Sequence, residues 1–217
     1  MPVANPPDFN LENNGNKTNS AVDIVKNLQA AKVRIDGLGF QAHLTVNSTP
    51  SLQTLTTVLN RFTTLGLEVV YTELDIRHSK LPANAAALEQ QAKDYVTVVR
   101  SCLDVAKCVG IVVWEFTDKY SWIPATFPGT GDACLFTSNM TRKPAYASIS
   151  SLLSQAAATA APGVGRNGTR ASSTGATRAT GAPSAPAVTF TDAVSGAQPL
   201  GFLSGRWHRS SRRGRRS

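Results

Sequence analysis

Apolar residues along the first part of the chain recur in two different patterns, which predict helices and strands in alternation. The helical period is clearest after Pro50 and Ser51, where apolar side chains recur at spacings of three and four: Leu52, Leu55, Leu59, Phe62 and Leu65. Similar stripes predict four helices, at residues 18–32, 51–65, 83–106 and 144–157. Asn19 or Ser20 can cap the first helix, and Gly66 ends the second. Apolar runs between the helices predict three buried strands, at residues 33–44, 67–76 and 109–117.

Strands that alternate with helices at this spacing form βα units and a parallel sheet. The strands are apolar through most of their length, which is typical of strands covered on both faces. A fourth strand could end at "DFNLE", residues 8–12. An open sheet and part of a barrel both fit this order. We favour an α/β partial barrel, because polar residues follow the carboxyl ends of all three strands, where barrel active sites are built.

Composition divides the chain into a neutral body and a basic tail. The formal net charge is +8, but residues 1–155 hold 13 Lys and Arg against 13 Asp and Glu. Residues 156–217 hold nine Arg and one acid, Asp192. We therefore predict a folded domain over residues 1–157, an Ala/Gly/Ser/Thr/Pro-rich linker over 158–186 and a disordered basic tail over 187–217.

Some features of the sequence are typical of secreted proteins. Four positions fit the N-glycosylation pattern: Asn16, Asn47, Asn139 and Asn167. Cys102 and Cys108 are close enough in sequence to close a short loop, which would leave Cys134 over. The first twelve residues have neither the basic nor the apolar region of a signal peptide, and no apolar run is long enough for a membrane span. We expect a secreted protein whose beginning is missing from this chain.

Two carboxylates stand at the end of the second predicted strand, in the stretch "VVYTELDIR". Glu73 and Asp75 point to the same side of a strand, roughly 6.6 Å apart along it. A retaining glycosidase uses two carboxyls about 5 to 5.5 Å apart, but they must flank the scissile bond. Two neighbours on one strand cannot do so. One acid is then the nucleophile and the other supports it, unless both simply face solvent or cap a helix.

His43 ends the preceding predicted strand, so a parallel sheet would place it beside Glu73 or Asp75. A carboxylate–imidazole–carboxylate chain would hold the nucleophile ionised and oriented. The alternative is a structural histidine with its hydrogen bonds satisfied. A metal site is disfavoured because the nearby sequence offers one His and no Cys, and we expect no cofactor.

Two tryptophans flank the exit of the third predicted strand. The faces of Trp114 and Trp122 could stack on sugar rings, or both could be core aromatics. We expect Trp122, which lies in a polar loop, to be the more exposed of the two. Glu115 and Asp118 are candidates for the missing second acid, although either could instead form a salt bridge.

Several segments, in this order and at these separations, resemble fungal glycoside hydrolase family 10, the endo-1,4-β-xylanases: "IDGLGFQAHL", "VVYTELDIR", "CLDVAKCVGIVVWEFTDKYSW" and "KPAYASI". The resemblance covers about residues 7–155 and fits the C-terminal half of that family's domain. It implies about strands five to eight of a (β/α)8 TIM barrel. It also implies retaining hydrolysis of xylan, with xylan and xylo-oligosaccharides as partners.

The resemblance also implies roles for individual residues. Glu73 matches the family nucleophile, and His43 and Asp75 match the residues that form a hydrogen-bonded chain with it. Substrate-binding positions of the family match Gln41, His43, Trp114 and Trp122, and a disulfide of many fungal members matches Cys102 and Cys108.

The chain departs from the family pattern in three respects. The family's acid/base Glu ends barrel strand four, which this chain lacks, so we expect little or no activity from the chain alone. We expect no cellulose-binding module of the kind that often follows such a linker, because residues 187–217 contain no Cys. The last twelve residues contain six Arg, which suggests either binding to nucleic acid or an anionic surface, or translation past a wrong splice or frame boundary, and we favour the latter. The alternative function is a non-catalytic carbohydrate-binding or inert half-barrel that self-associates through its open edges.

Overall fold

The structure, a computed structural model, describes residues 10–160. Its helices are α1 (Asn16–Ala30), α2 (Leu52–Thr63), α3 (Ala85–Leu103), α4 (Ile123–Thr126) and α5 (Pro144–Ala160), and its strands are β1 (Gly37–Phe40), β2 (His43–Thr45), β3 (Glu68–Arg77) and β4 (Cys108–Val113). Short 3-10 segments lie at Leu11–Asn13 and Asp118–Tyr120. The predicted linker and tail, apart from residues 158–160 at the end of α5, lie outside the described residues, as does Asn167.

The four strands form one parallel sheet around β3. β1 and β2 pair one after the other with the same side of β3, and β4 pairs with its opposite side. The single strand predicted over 33–44 is therefore two strands. They are interrupted at Ala42, whose φ of 61° lies in the left-handed region that residues with a Cβ seldom adopt.

Short polar side chains cap the N-termini of α2 and α3. The Ser51 side chain accepts a hydrogen bond from the Thr54 N–H and caps α2. Asn84 caps α3 in the same way through the Ala87 N–H. The cap predicted for α1 was wrong: the helix begins at Asn16, before Asn19 and Ser20, and its N-cap is Gly15.

The core lies between the sheet and the helices α2 and α3, and α5 packs against α3. Phe40 packs edge-on against Phe62 and Tyr71, with ring centroids 5.5 and 6.0 Å apart. The disulfide predicted between Cys102 and Cys108 is present and joins the end of α3 to β4. None of the helices within residues 10–160 is both long and apolar enough to cross a membrane.

The sheet is part of a barrel with open edges. Within residues 10–160, β4 forms a strand ladder only with β3, and β1 only with β3. Val109 and Val112 on β4 are 43% and 42% exposed. Of "DFNLE", the structure describes residues 10–12: Asn10 is the N-cap of the 3-10 segment, and Leu11 and Glu12 lie in it, so the strand predicted to end there does not extend into the described residues.

Candidate active site

The parallel register of β2 and β3 brings His43 directly opposite Asp75. Residues opposite each other in a parallel pair share a face, and side chains two apart on one strand also share a face. His43, Glu73 and Asp75 therefore project to the same side of the sheet near the carboxyl ends of the strands.

These three side chains form a continuous chain of polar contacts. The Nδ1 atom of His43 lies 3.0 Å from Asp75 Oδ2, and its Nε2 atom lies 3.2 Å from Glu73 Oε2. The side chains of His43 and Asp75 are 4% and 2% exposed, whereas that of Glu73 is 22% exposed. Glu73 is thus the member of the chain that a ligand can reach.

The environment of His43 favours its protonated form. Burial alone lowers the pKa of the imidazole, but the hydrogen bonds and charges of Asp75, and then of Glu73, outweigh it and leave the pKa raised. A protonated imidazole donates from both ring nitrogens, so each carboxylate receives one N–H. Such an arrangement fixes the orientation of both carboxylates.

Trp122 closes the chain at the Asp75 end. Its indole Nε1 donates to Asp75 Oδ2 at 2.8 Å, so this oxygen contacts both Trp122 and His43. The Trp122 ring lies 4.8 Å from the His43 ring between centroids, and the Trp114 ring lies 6.4 Å away. The predicted order of exposure was wrong: Trp114 is 42% exposed, whereas Trp122 is partly buried because its indole N–H binds Asp75.

The interruption between β1 and β2 places Gln41 beside Glu73. The Glu73 N–H donates to the Gln41 carbonyl at 3.1 Å, and the Ala42 N–H donates to Glu12 Oε1 at 2.8 Å. Glu12 is 1% exposed, and burial raises its pKa. The Oε1 atom of Gln41 is buried and has no hydrogen-bond partner within residues 10–160, which suits a side chain that binds a polar ligand.

The two candidates for a second acid are both engaged elsewhere. Asp118 forms a buried ion pair with Lys143, whose Nζ lies 2.5 Å from Asp118 Oδ2, so the salt-bridge alternative is confirmed for this residue. Glu115 Oε2 accepts the backbone N–H of Trp122 at 3.0 Å. Both carboxyls therefore have partners within the protein.

Sequence reasoning missed two buried charged residues that shape the site, Glu12 and Lys143. Glu12 supports the strand interruption, and Lys143 anchors the loop that carries Trp122. The sequence gives little indication that Glu12 is buried, because its hydrogen-bond partner, the Ala42 N–H, lies 30 residues away. Lys143 lies immediately before α5, and the sequence there fits a solvent-exposed lysine as well as a buried one.

Other predictions concern the surroundings of the site. Asn16, Asn47 and Asn139 are exposed, as glycan acceptors must be. Cys134 is free and buried, and burial raises the pKa of its thiol. Within the part of the chain that the structure describes, no group of His, Cys, Asp and Glu is arranged to hold a metal ion.

Comparison with known proteins shows one family over most of the described region. The model of glycosyl hydrolase family 10 matches residues 5–152. Endo-1,4-beta-xylanase 5 of Pyricularia oryzae is 63% identical over 153 residues, which is 70% of this chain and 38% of that protein. The chain therefore spans well under half the length of that curated relative.

Solved structures give the same picture. The endo-1,4-beta-xylanase XylE of Penicillium canescens is 42% identical with a TM-score of 0.64, over 65% of this chain and 43% of that one. Xylanase 10B of Thermotoga petrophila, in complex with xylobiose, is 35% identical with a TM-score of 0.65, over 68% and 45% of the two chains. The described residues thus superpose on less than half of each of these neighbours.

Proposed function

Because the chain belongs to glycosyl hydrolase family 10, we propose that it acts as part of the catalytic domain of a retaining endo-1,4-β-xylanase. The observation that carries the proposal is the chain of contacts from Trp122 through Asp75 and His43 to the partly exposed carboxylate of Glu73. The substrate class is supported by the xylanase names of the relatives and by the xylobiose bound to one structural neighbour.

The finer proposal is that residues 1–157 are the C-terminal half of the domain, about strands five to eight of a (β/α)8 barrel. It is supported by three neighbouring strand positions, one of them shared by β1 and β2, by the open edges of the sheet and by the coverage of under half of the neighbours' chains. We further propose that residues 158–186 are a linker and 187–217 a basic tail, and that the complete protein is secreted and glycosylated at Asn16, Asn47 and Asn139.

In the proposed reaction, Glu73 attacks the anomeric carbon of a xylose unit and forms a covalent glycosyl-enzyme. A second carboxyl group protonates the leaving oxygen, and the same group later deprotonates the water that hydrolyses the intermediate with net retention. Polar contacts of 3.2 and 3.0 Å join Glu73 to Asp75 through His43, which orients the nucleophile towards the sugar. Gln41, Trp114 and Trp122 form the adjoining sugar-binding surface.

We assign the second carboxyl to a part of the family fold that residues 10–160 do not contain. Asp118 is neutralised by Lys143, and Glu115 binds the backbone of Trp122. Loss of a general acid typically costs about 100- to 10,000-fold in rate. The chain by itself should accordingly release little reducing sugar from xylan.

A substrate that needs no general acid tests Glu73 separately from the missing acid. Dinitrophenyl β-xylobioside has a good leaving group, and its 2-fluoro derivative should trap the glycosyl-enzyme. We expect mass spectrometry to find one xylobiosyl adduct, located on Glu73 and absent from Glu73→Gln. Glu89→Gln, an exposed acid on α3, is the matched control and should label normally.

Two results would contradict these assignments. A label on any other residue, or none at all, would remove Glu73 as the nucleophile. Robust hydrolysis of xylan that depends on Glu73 would show that this chain supplies its own acid.

A second candidate function is a non-catalytic, self-associating half-barrel. The exposed valines at 109 and 112 on the open edge of β4 favour it, because unpaired parallel edges invite pairing with another chain. Light scattering combined with titration of xylo-oligosaccharides separates the candidates. A dimer that binds the sugar without labelling at Glu73 would support this second function over the first.

A further inference from the structure

Glu115 adopts a backbone conformation that calls for an explanation. Its φ of 60° lies in the left-handed region, which is sterically disfavoured for a residue with a long side chain. Such conformations persist where surrounding contacts fix them, and they cluster at functional sites. Here the contact is the hydrogen bond from the Trp122 backbone N–H to Glu115 Oε2, 3.0 Å long.

Trp122 is consequently held by two carboxylates through two different N–H groups. Its backbone N–H donates to Glu115 and its indole N–H donates to Asp75. The ring itself packs edge-on against His43 on one side and Phe127 on another, with centroids 4.8 and 5.6 Å apart. The position of the indole N–H relative to Asp75 therefore depends on where the Trp122 backbone is fixed.

Glu115 is electrically part of the same cluster. Burial raises the pKa of its carboxyl group, the bond from Trp122 lowers it, and the nearby charge of Asp75 raises it further. Unlike a solvated surface carboxylate, the Glu115 carboxyl interacts with the charge of the site. Glu115 directly follows Trp114 in the chain, and Trp114 is 42% exposed.

We propose that Glu115 is a positioning residue: it fixes the Trp122 backbone so that the indole N–H reaches Asp75 and thereby holds Asp75 against His43. The importance of this for catalysis rests on the proposed function, since Glu73 is the far end of the same chain of contacts. Glu115 itself need not touch the substrate.

Three variants separate the acceptor from the backbone conformation. Glu115→Gln keeps an acceptor oxygen at the same position, whereas Glu115→Ala removes it and retains a Cβ in the left-handed region. Glu115→Gly also removes the acceptor, but it adopts a positive φ without a steric penalty. The readout is hydrogen exchange of the Trp122 indole N–H, followed by NMR on the chain without sugar and assigned with Trp122→Phe.

We expect the indole N–H to exchange about tenfold faster in Glu115→Ala and in Glu115→Gly, because a bond to a carboxylate no longer holds the Trp122 backbone. Glu115→Gln should exchange like the unchanged chain. Circular dichroism identifies any variant that fails to fold, and Glu115→Gly answers the question if Glu115→Ala unfolds. Unchanged exchange in the folded variants that lack the acceptor would overturn the proposal, as would a Glu115→Gln rate equal to theirs.

This measurement is independent of the proposed reaction. A wrong assignment of Glu73 would appear as absent labelling and would leave indole exchange unaffected. Conversely, loss of the Glu115 effect would leave labelling of Glu73 as a valid test of the nucleophile.

Discussion

The buried ion pair between Asp118 and Lys143 should be a point of high sensitivity to substitution. The two side chains are 5% and 2% exposed, and their charged atoms lie 2.5 Å apart. Asp118 also accepts the Cys134 N–H at 2.9 Å, and Lys143 also donates to the Asp132 carbonyl at 2.8 Å. The pair thus joins three segments of the long loop between β4 and α5.

Replacing Lys143 by Met keeps much of the side-chain volume and leaves the Asp118 carboxylate buried without its cation. Removing one partner of a buried pair typically costs about 3 to 5 kcal/mol. With a denaturant slope of about 2 kcal/mol per molar urea, the unfolding midpoint should fall by about 1.5 to 2.5 M. Urea titration followed by circular dichroism measures this, and Lys93→Met on the exposed face of α3 is the matched control.

The double variant Asp118→Asn/Lys143→Met should recover much of the loss, because no charge is then left buried. The deficit of the single variant should also shrink as the pH falls. Burial already raises the pKa of Asp118 against the opposing effect of Lys143, so without Lys143 the folded state binds a proton more tightly than the unfolded state does. A Lys143→Met midpoint equal to that of Lys93→Met would refute this reasoning.

Two further predictions concern the site and the disulfide. Asp75→Asn should lower the pKa of His43 more than Glu73→Gln does, because Asp75 contributes more to raising it; ¹⁵N NMR of the imidazole measures both, and equal shifts would contradict the assignment. Since this pKa is raised in the folded state, the stability that His43 contributes is fully present at low pH and is lost as the pH rises through the folded-state value. Replacing Cys102 and Cys108 by Ser should cost about 2 kcal/mol of unfolding free energy, because the closed loop is short; an unchanged urea midpoint would exclude this contribution.

The sequence predicted the parts of the site that depend on strand order alone. Alternation in "VVYTELDIR" put Glu73 and Asp75 on one side of a strand, and parallel pairing put His43 beside them. Sequence reasoning left open which carboxylate His43 would face. The structure shows that it contacts both, Asp75 through Nδ1 and Glu73 through Nε2.

Other parts could not be predicted, because they depend on contacts distant in sequence. The polar loop around Trp122 suggested exposure, but the indole is partly buried by a hydrogen bond to a residue 47 positions earlier. The role of Lys143 depends on Asp118, and the support of the strand interruption depends on Glu12. Local patterns carry no information about any of these partners.

The interruption at Ala42 determines which residue His43 meets. Phe40 pairs with Tyr71, 31 positions later, whereas His43 pairs with Asp75, 32 positions later. Had the first offset continued, His43 would lie opposite Leu74, and its imidazole would face away from both acids. The site therefore depends on strand alignment as much as on residue identity.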